Sequence, residues 1–417
     1  MGSSGASIEA AKEPSIHLYA EHLQNIRTLS IQASLATPSN NETKAALSAD
    51  GSKLTLTHDG ETASIDLPIS IPRGPKDATL AIPAAPSKEL GFRLGTQKND
   101  DLNADSAHVI PWMASDLTKE TEIACAGCQD VLIKRGTIQQ WKDLPSEGWA
   151  EMMDFWHCHK PDVPHDHGDH AEPGRGIGAN SKLAVESGVG LVGPVDLLFA
   201  SDDCPRLQPK SSLTCIVCVQ IQEIHSVSGS QNGLLCPRCN TSVGSIDQAT
   251  QGYHLRKPHL SVSSSSSAPA VSYGSERWLA CHLLTAAENQ GVRKLSVWTV
   301  DGNKAVYMMQ LWLFATDLTV SSSVTRTPQP VGVVKVLFRQ PKLVSEDAEH
   351  DGRPPAGKLN AAALTEGEVE LETTEWWDLR RTLELSSALL PPKARKFQEW
   401  EVGLLRRFTA ADIQSGS

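Results

Sequence analysis

The feature that most constrains this chain is a pair of Cys-x-x-Cys motifs far apart in the sequence, Cys125/Cys128 and Cys236/Cys239. The residues between the cysteines, Ala-Gly in the first motif and Pro-Arg in the second, are small or turn-forming. They allow two thiolates to face one side of a tight turn. We therefore predict a domain organised around one zinc ion with all four thiolates as ligands. Such a closed site is structural and not catalytic. The alternative is four unrelated buried cysteines, since burial is common for free thiols.

Composition narrows the class of protein. A chain of 417 residues has room for two or three domains with cores of their own. The net charge of −11 argues against direct nucleic-acid binding, which depends on neutralising phosphates with Lys and Arg. We expect no membrane span, because no uninterrupted apolar run reaches about 18 residues. Nine cysteines without a secretion signal favour a reducing compartment, so we expect a cytoplasmic or nuclear protein or both.

The patterning along the chain predicts an α+β fold. We expect a β-rich N-terminal part, a central zinc-stapled region, and a C-terminal α+β part with antiparallel strands and closing helices. The expected regions are a disordered N-terminus (1–15), a β-rich domain (16–106), a zinc-knuckle region (107–260) with a His-rich loop (161–180), a serine-rich flexible linker (261–274) and a C-terminal α+β domain (275–417).

Local signals support these regions. Residues 29–35 alternate apolar and polar positions, and residues 54–67 form two such runs around Asp59-Gly60, which is a hairpin signal. In the C-terminal part, a helix is predicted to begin near Ser275. The further expected elements are strands at 294–300, 305–315 and 331–338, and helices at 376–389 and 393–408.

A second cluster of metal-binding residue types lies between the two motifs. Trp156 ends an apolar helical stripe that we interpret as core, and Cys158 and His159 follow it beside the polar His-rich loop. Both Cys158 and His159 are good ligands for soft metals. They either complete a local site or contact a metal held by a partner. A third pair, Cys215/Cys218, has a strand-like apolar context that favours core packing over ligation.

These motifs together resemble the HECT-like ubiquitin-conjugating-enzyme-binding proteins, which are also described as ubiquitin-protein ligases. The resemblance rests on the first Cys-x-x-Cys, a Leu-Pro-Ser-x-x-Trp…Trp-x-Cys-His motif at 144–159 and the later Cys-Pro-x-Cys, and it covers roughly residues 16–410. It implies binding of a ubiquitin-conjugating enzyme and ligase activity on cyclin-type substrates. The family is also linked to pre-mRNA 3′-end processing, through a metallo-β-lactamase-type endonuclease.

The resemblance leads to two hypotheses. In the first, the protein promotes ubiquitin transfer, either as a scaffold or through an unconventional cysteine. A HECT ligase needs a thioester-forming cysteine near its C-terminus. The last cysteine of this chain is Cys281, the candidate catalytic residue, whose apolar helical context predicts burial instead. In the second, the protein is a non-enzymatic inhibitor or chaperone of the endonuclease, and Cys158 contacts the nuclease metals with Trp156 and His159 beside it.

Overall fold

The structure is a computed structural model, and it describes residues 14–71, 78–96, 109–144, 185–210, 233–301, 304–325, 329–340 and 365–414. These residues contain 23 strands and three α-helices, so the fold is strand-rich, as expected, with few helices. None of the helices described is long and apolar enough to cross a membrane.

A long series of strands precedes the first α-helix of the described chain. These strands are β1 (Ile16–Leu23), β2 (Thr28–Leu35), β3 (Lys44–Leu47), β4 (Lys53–His58), β5 (Glu61–Asp66), β6 (Ala78–Leu80), β7 (Glu89–Gly95), β8 (Glu122–Cys125), β9 (Val131–Ile133), β10 (Gln140–Asp143), β11 (Val189–Val192), β12 (Asp196–Phe199), β13 (Gln208–Pro209), β14 (Gly233–Leu235), β15 (Ser242–Ile246), β16 (Tyr253–Arg256) and β17 (Leu260–Ser263). The remaining elements are α1 (Ser275–Gln290), β18 (Lys294–Asp301), β19 (Lys304–Ser322), β20 (Val331–Arg339), β21 (Glu366–Glu370), α2 (Thr373–Ser386), β22 (Lys396–Phe397), β23 (Trp400–Arg406) and α3 (Ala410–Gln414).

The chain divides into two compact units. Unit 1 comprises Met1–Ala107, Met308–Val344 and Trp376–Arg407, and unit 2 comprises His108–Tyr307, Ser345–Glu375 and Phe408–Ser417. In unit 1, β1 pairs with β19 in antiparallel register, Tyr19 opposite Ser322. This pairing joins strands that the sequence analysis assigned to separate domains.

Unit 1 is built from two sheets with an apolar core between them, and a second apolar cluster covers the other face of the larger sheet. The larger sheet has the order β22-β23-β20-β19-β1-β2-β7, and the smaller has the order β5-β4-β3-β6. Alternate residues of β2 and β4 are buried, which is the pattern that the sequence predicts for strands with one covered face. The predicted hairpin is confirmed, because β4 pairs with β5 around Asp59 and Gly60, both with positive φ.

Strand β1 is buried on both faces. Leu18 packs in the core between the two sheets, whereas Tyr19 and its neighbours Glu21 and Lys335 form a polar group on the opposite face. The Tyr19 hydroxyl donates a hydrogen bond to Glu21 Oε2 at 3.1 Å, and Glu21 pairs with the Lys335 ammonium. Tyr19, Glu21 and Lys335 therefore each have a partner, which is the condition for burying a polar group at small cost.

Unit 2 contains the cysteine motifs and a second core. Its largest sheet has the order β10-β11-β12-β16-β15-β14-β13, and a smaller one has the order β17-β8-β9. Helix α1 begins at Ser275, as expected, and packs Trp278 and Cys281 into this core. Gly291 ends the helix in the left-handed conformation that favours glycine.

Two predictions about local structure are wrong. The predicted closing helix at 393–408 is instead the hairpin β22–β23. Its apolar run pairs with β20, and Gly403 lets the strand approach Leu383, so tertiary contacts outweigh the helical spacing.

The serine-rich run predicted as a flexible loop begins inside strand β17, where Ser261 and Ser263 are buried. Arg135 donates a hydrogen bond to Ser263 Oγ, and Ser263 donates to carbonyl oxygens of the following turn, which offsets the cost of burial.

Candidate metal centre

Each Cys-x-x-Cys motif forms the turn between two short antiparallel strands. The first connects β8 to β9, and the second connects β14 to β15. Strand β17 pairs with β8 and places Leu260 opposite Cys125, which fixes the start of the first turn. The buried ends of these strands hold Cys125 and Cys236 in the core of unit 2.

The two turns repeat one backbone geometry. In the first, Cys125 N–H donates to Asp130 O and Gln129 N–H donates to Cys125 O, both at 2.9 Å. In the second, Cys236 N–H donates to Thr241 O at 2.9 Å and Asn240 N–H donates to Cys236 O at 3.0 Å. Gln129 and Asn240 both have positive φ, 60° and 56°. A left-handed residue at the same position in both turns costs conformational energy, and the repetition indicates that both turns present their cysteines in the same way.

The four sulfur atoms form a compact cluster. Cys125 Sγ lies 3.7 Å from Cys239 Sγ, and Cys128 Sγ lies 3.6 Å from Cys236 Sγ. All four lie within 4.8 Å of one another. Ligands about 2.3 Å from a tetrahedral zinc would be about 3.8 Å apart, whereas a disulfide would bring two sulfurs to about 2 Å. The geometry therefore fits one metal ion held by four thiolates, and this arrangement leaves no open position for a substrate.

The cluster is asymmetric in exposure and in acidity. Cys125 and Cys236 are fully buried, and Cys239 is exposed. Hydrogen bonds with Thr241 lower the pKa of Cys239 to about 6, whereas burial raises the pKa of Cys125 to about 12. At neutral pH, a metal ion would thus find Cys239 already deprotonated, whereas it would have to displace the thiol proton of the buried Cys125. Metal binding at this site is therefore expected to release protons and to weaken at low pH.

Several residues singled out in the sequence lie outside the described residues. Trp156, Cys158 and His159, together with the His-rich loop, fall between 144 and 185, and Cys215/Cys218 fall between 210 and 233. The proposed role of Cys158 in contacting the metals of a partner therefore stays a prediction.

The candidate catalytic residue Cys281 lies in the core. It is 1% exposed, and its Sγ is 3.9 Å from Pro194 O. Burial raises the pKa of the Cys281 thiol to about 12, and it does the same for Cys204, the other described cysteine outside the cluster. A thioester-forming cysteine must be an accessible thiolate. The arrangement favours the core-packing interpretation of Cys281.

Sequence reasoning missed a buried cation in unit 2. Lys257 is fully buried just before β17, and its Nζ donates a hydrogen bond to Pro111 O at 3.2 Å. The same ammonium lies 5.8 Å from the centroid of the Trp278 ring, and burial lowers its pKa to about 8. Nothing in the local sequence signals this burial, because Lys257 stands among other basic residues.

It also missed a cluster of aromatic side chains in unit 1, two of them exposed, formed by Trp312, Phe314, Phe397 and Trp400. We call this cluster the aromatic patch. The segment that carries Phe397 was interpreted as a helix, which hid its relation to β19.

Comparisons with known proteins agree with the motifs. A family model described as HECT-like ubiquitin-conjugating enzyme (E2)-binding matches residues 21–402. An uncharacterized protein of Schizosaccharomyces pombe is 25% identical over 313 residues, covering 72% of this chain and 78% of that protein. An uncharacterized protein of Saccharomyces cerevisiae is 42% identical over 57 residues, covering 13% of this chain and 16% of that protein. No solved structure matches this chain. The family match covers both cysteine motifs and the aromatic patch.

Proposed function

Because the chain belongs to the HECT-like ubiquitin-conjugating-enzyme-binding family, we propose that it is a ubiquitin-ligase-like scaffold. In this role it binds a ubiquitin-conjugating enzyme and promotes transfer of ubiquitin from that enzyme, without carrying ubiquitin itself. The observation that carries the proposal is the family match over residues 21–402.

The described cysteines support a scaffold over a thioester mechanism. Four of the six lie in the metal cluster, and the other two, Cys204 and Cys281, are buried with raised pKa values. Within the described part of the chain, no thiol outside the cluster is both exposed and acidic enough to accept ubiquitin from a thioester. Transfer would then go directly from the conjugating enzyme to an acceptor amine.

The metal centre has a structural part in this proposal. We propose that zinc occupies it, since four thiolates in tetrahedral spacing are typical of structural zinc sites. The bound ion would hold the β8–β9 and β14–β15 turns together and so stabilise unit 2. It would supply no reactive position, because all four ligands are protein thiolates.

A single-turnover discharge assay tests the function. A conjugating enzyme loaded with ubiquitin is mixed with free lysine, with and without the full chain, and loss of the thioester is followed over time. We expect faster discharge with the full chain, and equal acceleration by Cys281→Ala. Discharge no faster than in the control, across a panel of conjugating enzymes, would overturn the proposal. Loss of acceleration in a folded Cys281→Ala variant would replace the scaffold with a thioester mechanism.

A further inference from the structure

The aromatic patch exposes large apolar side chains that the core of unit 1 leaves uncovered. Phe314 is 49% exposed and Phe397 is 45% exposed. Their ring centroids lie 6.3 Å apart, and Trp312 lies 5.4 Å from Phe314. Trp400, only 8% exposed, lies 6.3 Å from Trp312 and joins the patch to the core. The exposed rings therefore rest on a buried aromatic base that holds them in place.

Two irregular backbone features present the exposed rings. Strand β19 has a β-bulge at Phe314, because Leu313 pairs with Val336 and Ala315 pairs with Lys335, leaving Phe314 without a partner residue in the register. Bulges redirect side chains and are common beside functional sites. In the β22–β23 hairpin, Gln398 follows Phe397 with a φ of 54°, an uncommon conformation for a residue with a side chain. Both features lie at or beside the exposed phenylalanines.

A polar edge borders the patch. The Arg339 guanidinium stacks 4.3 Å from the Trp400 ring centroid, and its Nε donates to Gln310 Oε1 at 2.8 Å. Arg339 also pairs with Glu399, whose side chain is half exposed. Aromatic anchors bordered by Arg and by hydrogen-bonding groups are the usual composition of the centre and rim of protein interfaces.

The size of the patch indicates the kind of partner. With about 200 Å² of surface per buried aromatic side chain, the exposed halves of the two phenylalanines amount to roughly 200 Å². A permanent dimer usually buries more than about 2,000 Å² in total, whereas transient contacts are smaller and depend on a few aromatic anchors. A ubiquitin-conjugating enzyme is a transient partner, because it must leave to be loaded again.

We propose that the aromatic patch is the surface on which the ubiquitin-conjugating enzyme docks, with Phe314 and Phe397 as anchors. This inference rests on the proposed function and names the surface that it uses. An apolar side chain of the conjugating enzyme packs against the exposed faces of the two phenylalanine rings, and polar groups around it bond to Arg339 and Glu399.

The test compares two double variants of the full chain by calorimetry against a panel of purified ubiquitin-conjugating enzymes. The first variant is Phe314→Ala with Phe397→Ala. The matched control is Trp377→Ala with Leu385→Ala, which removes side chains 52% and 65% exposed on α2 in the same unit. Thermal unfolding and metal content establish that both variants fold.

We expect the patch variant to bind at least about tenfold more weakly than the wild type, as loss of interface anchors does, and the control to bind as the wild type does. Wild-type binding that is equally strong in the patch variant overturns this inference and leaves the proposed function intact. If the wild type binds no conjugating enzyme on the panel, the proposed function fails and the docking surface fails with it. Equal weakening in both variants also overturns the inference, since the effect is then not confined to the patch.

Discussion

At the scale of single residues, the surroundings of a side chain decide its chemistry more than its type does. The thiols of Cys239 and Cys281 are chemically identical in the unfolded chain. In the fold, hydrogen bonds lower the pKa of the first to about 6, and burial raises the pKa of the second to about 12. The same desolvation lowers the pKa of Lys257 to about 8.

Lys257 predicts a pH dependence of stability. Its pKa is about 8 in the fold and 10.5 in the unfolded chain, so between these values the unfolded chain holds a proton that the folded chain lacks. Stability therefore rises with pH across this window, by up to about 3 kcal/mol. The Lys257→Met variant should lack this rise and should be at least as stable as the wild type near pH 7, since it buries no charge.

Urea unfolding of both proteins between pH 7 and pH 10 measures the effect. The difference between the two curves isolates Lys257 from the other groups that titrate in the range. Parallel curves for wild type and variant would contradict the expected role of Lys257.

At the scale of elements, the β22–β23 hairpin depends on a close approach that only glycine permits. A Cβ on Gly403 would lie 2.7 Å from Leu383 O and 2.9 Å from Leu383 Cα, both in the backbone of α2. Neither atom can move without shifting the helix. This contact helps to explain why residues 400–406 form a strand beneath α2 and not a further helix.

We predict that Gly403→Ala destabilises unit 1 by about 1–3 kcal/mol, the usual cost of overpacking. Gly95→Ala is the matched control, because Gly95 also lies in an edge region of the large sheet and a Cβ there meets no atom within 4 Å. Thermal unfolding should show a lower midpoint for Gly403→Ala and little change for Gly95→Ala. Equal midpoints would mean that the strand and helix can separate at no cost.

At the scale of the whole molecule, the metal cluster and the core of unit 2 share two residues. Cys125 and Cys236 are both ligand candidates and core residues, so ion loss would remove packing and cross-linking together. The core between the two sheets of unit 1 contains no cysteine among its described residues. Metal removal should therefore affect the two units unequally.

The corresponding prediction compares Cys236→Ala with Cys204→Ala, which changes a buried cysteine outside the cluster. Cys236→Ala should lose the bound zinc and the hydrogen-exchange protection of β8, β9, β14 and β15, while β1, β2 and β4 stay protected. Cys204→Ala should keep one zinc per chain and lose about 1 kcal/mol of stability. Elemental analysis and hydrogen exchange measure both outcomes. Full zinc content in Cys236→Ala would exclude a four-thiolate site.

The sequence by itself determined the features that depend on local chemistry. The spacing of the cysteine pairs predicted their convergence, alternation predicted β2 and β4, Asp59-Gly60 predicted the hairpin, and the motifs indicated the family, because these signals need only neighbouring residues. The tertiary structure alone decided what depends on distant partners. The apolar run at 400–406 is a strand because β20 pairs with it and Leu383 lies over Gly403. Lys257 is buried because residues distant in sequence, such as Pro111 and Trp278, surround it. Phe314 is exposed because, in the described part of the chain, no such residues cover it, and no local sequence pattern predicts this difference.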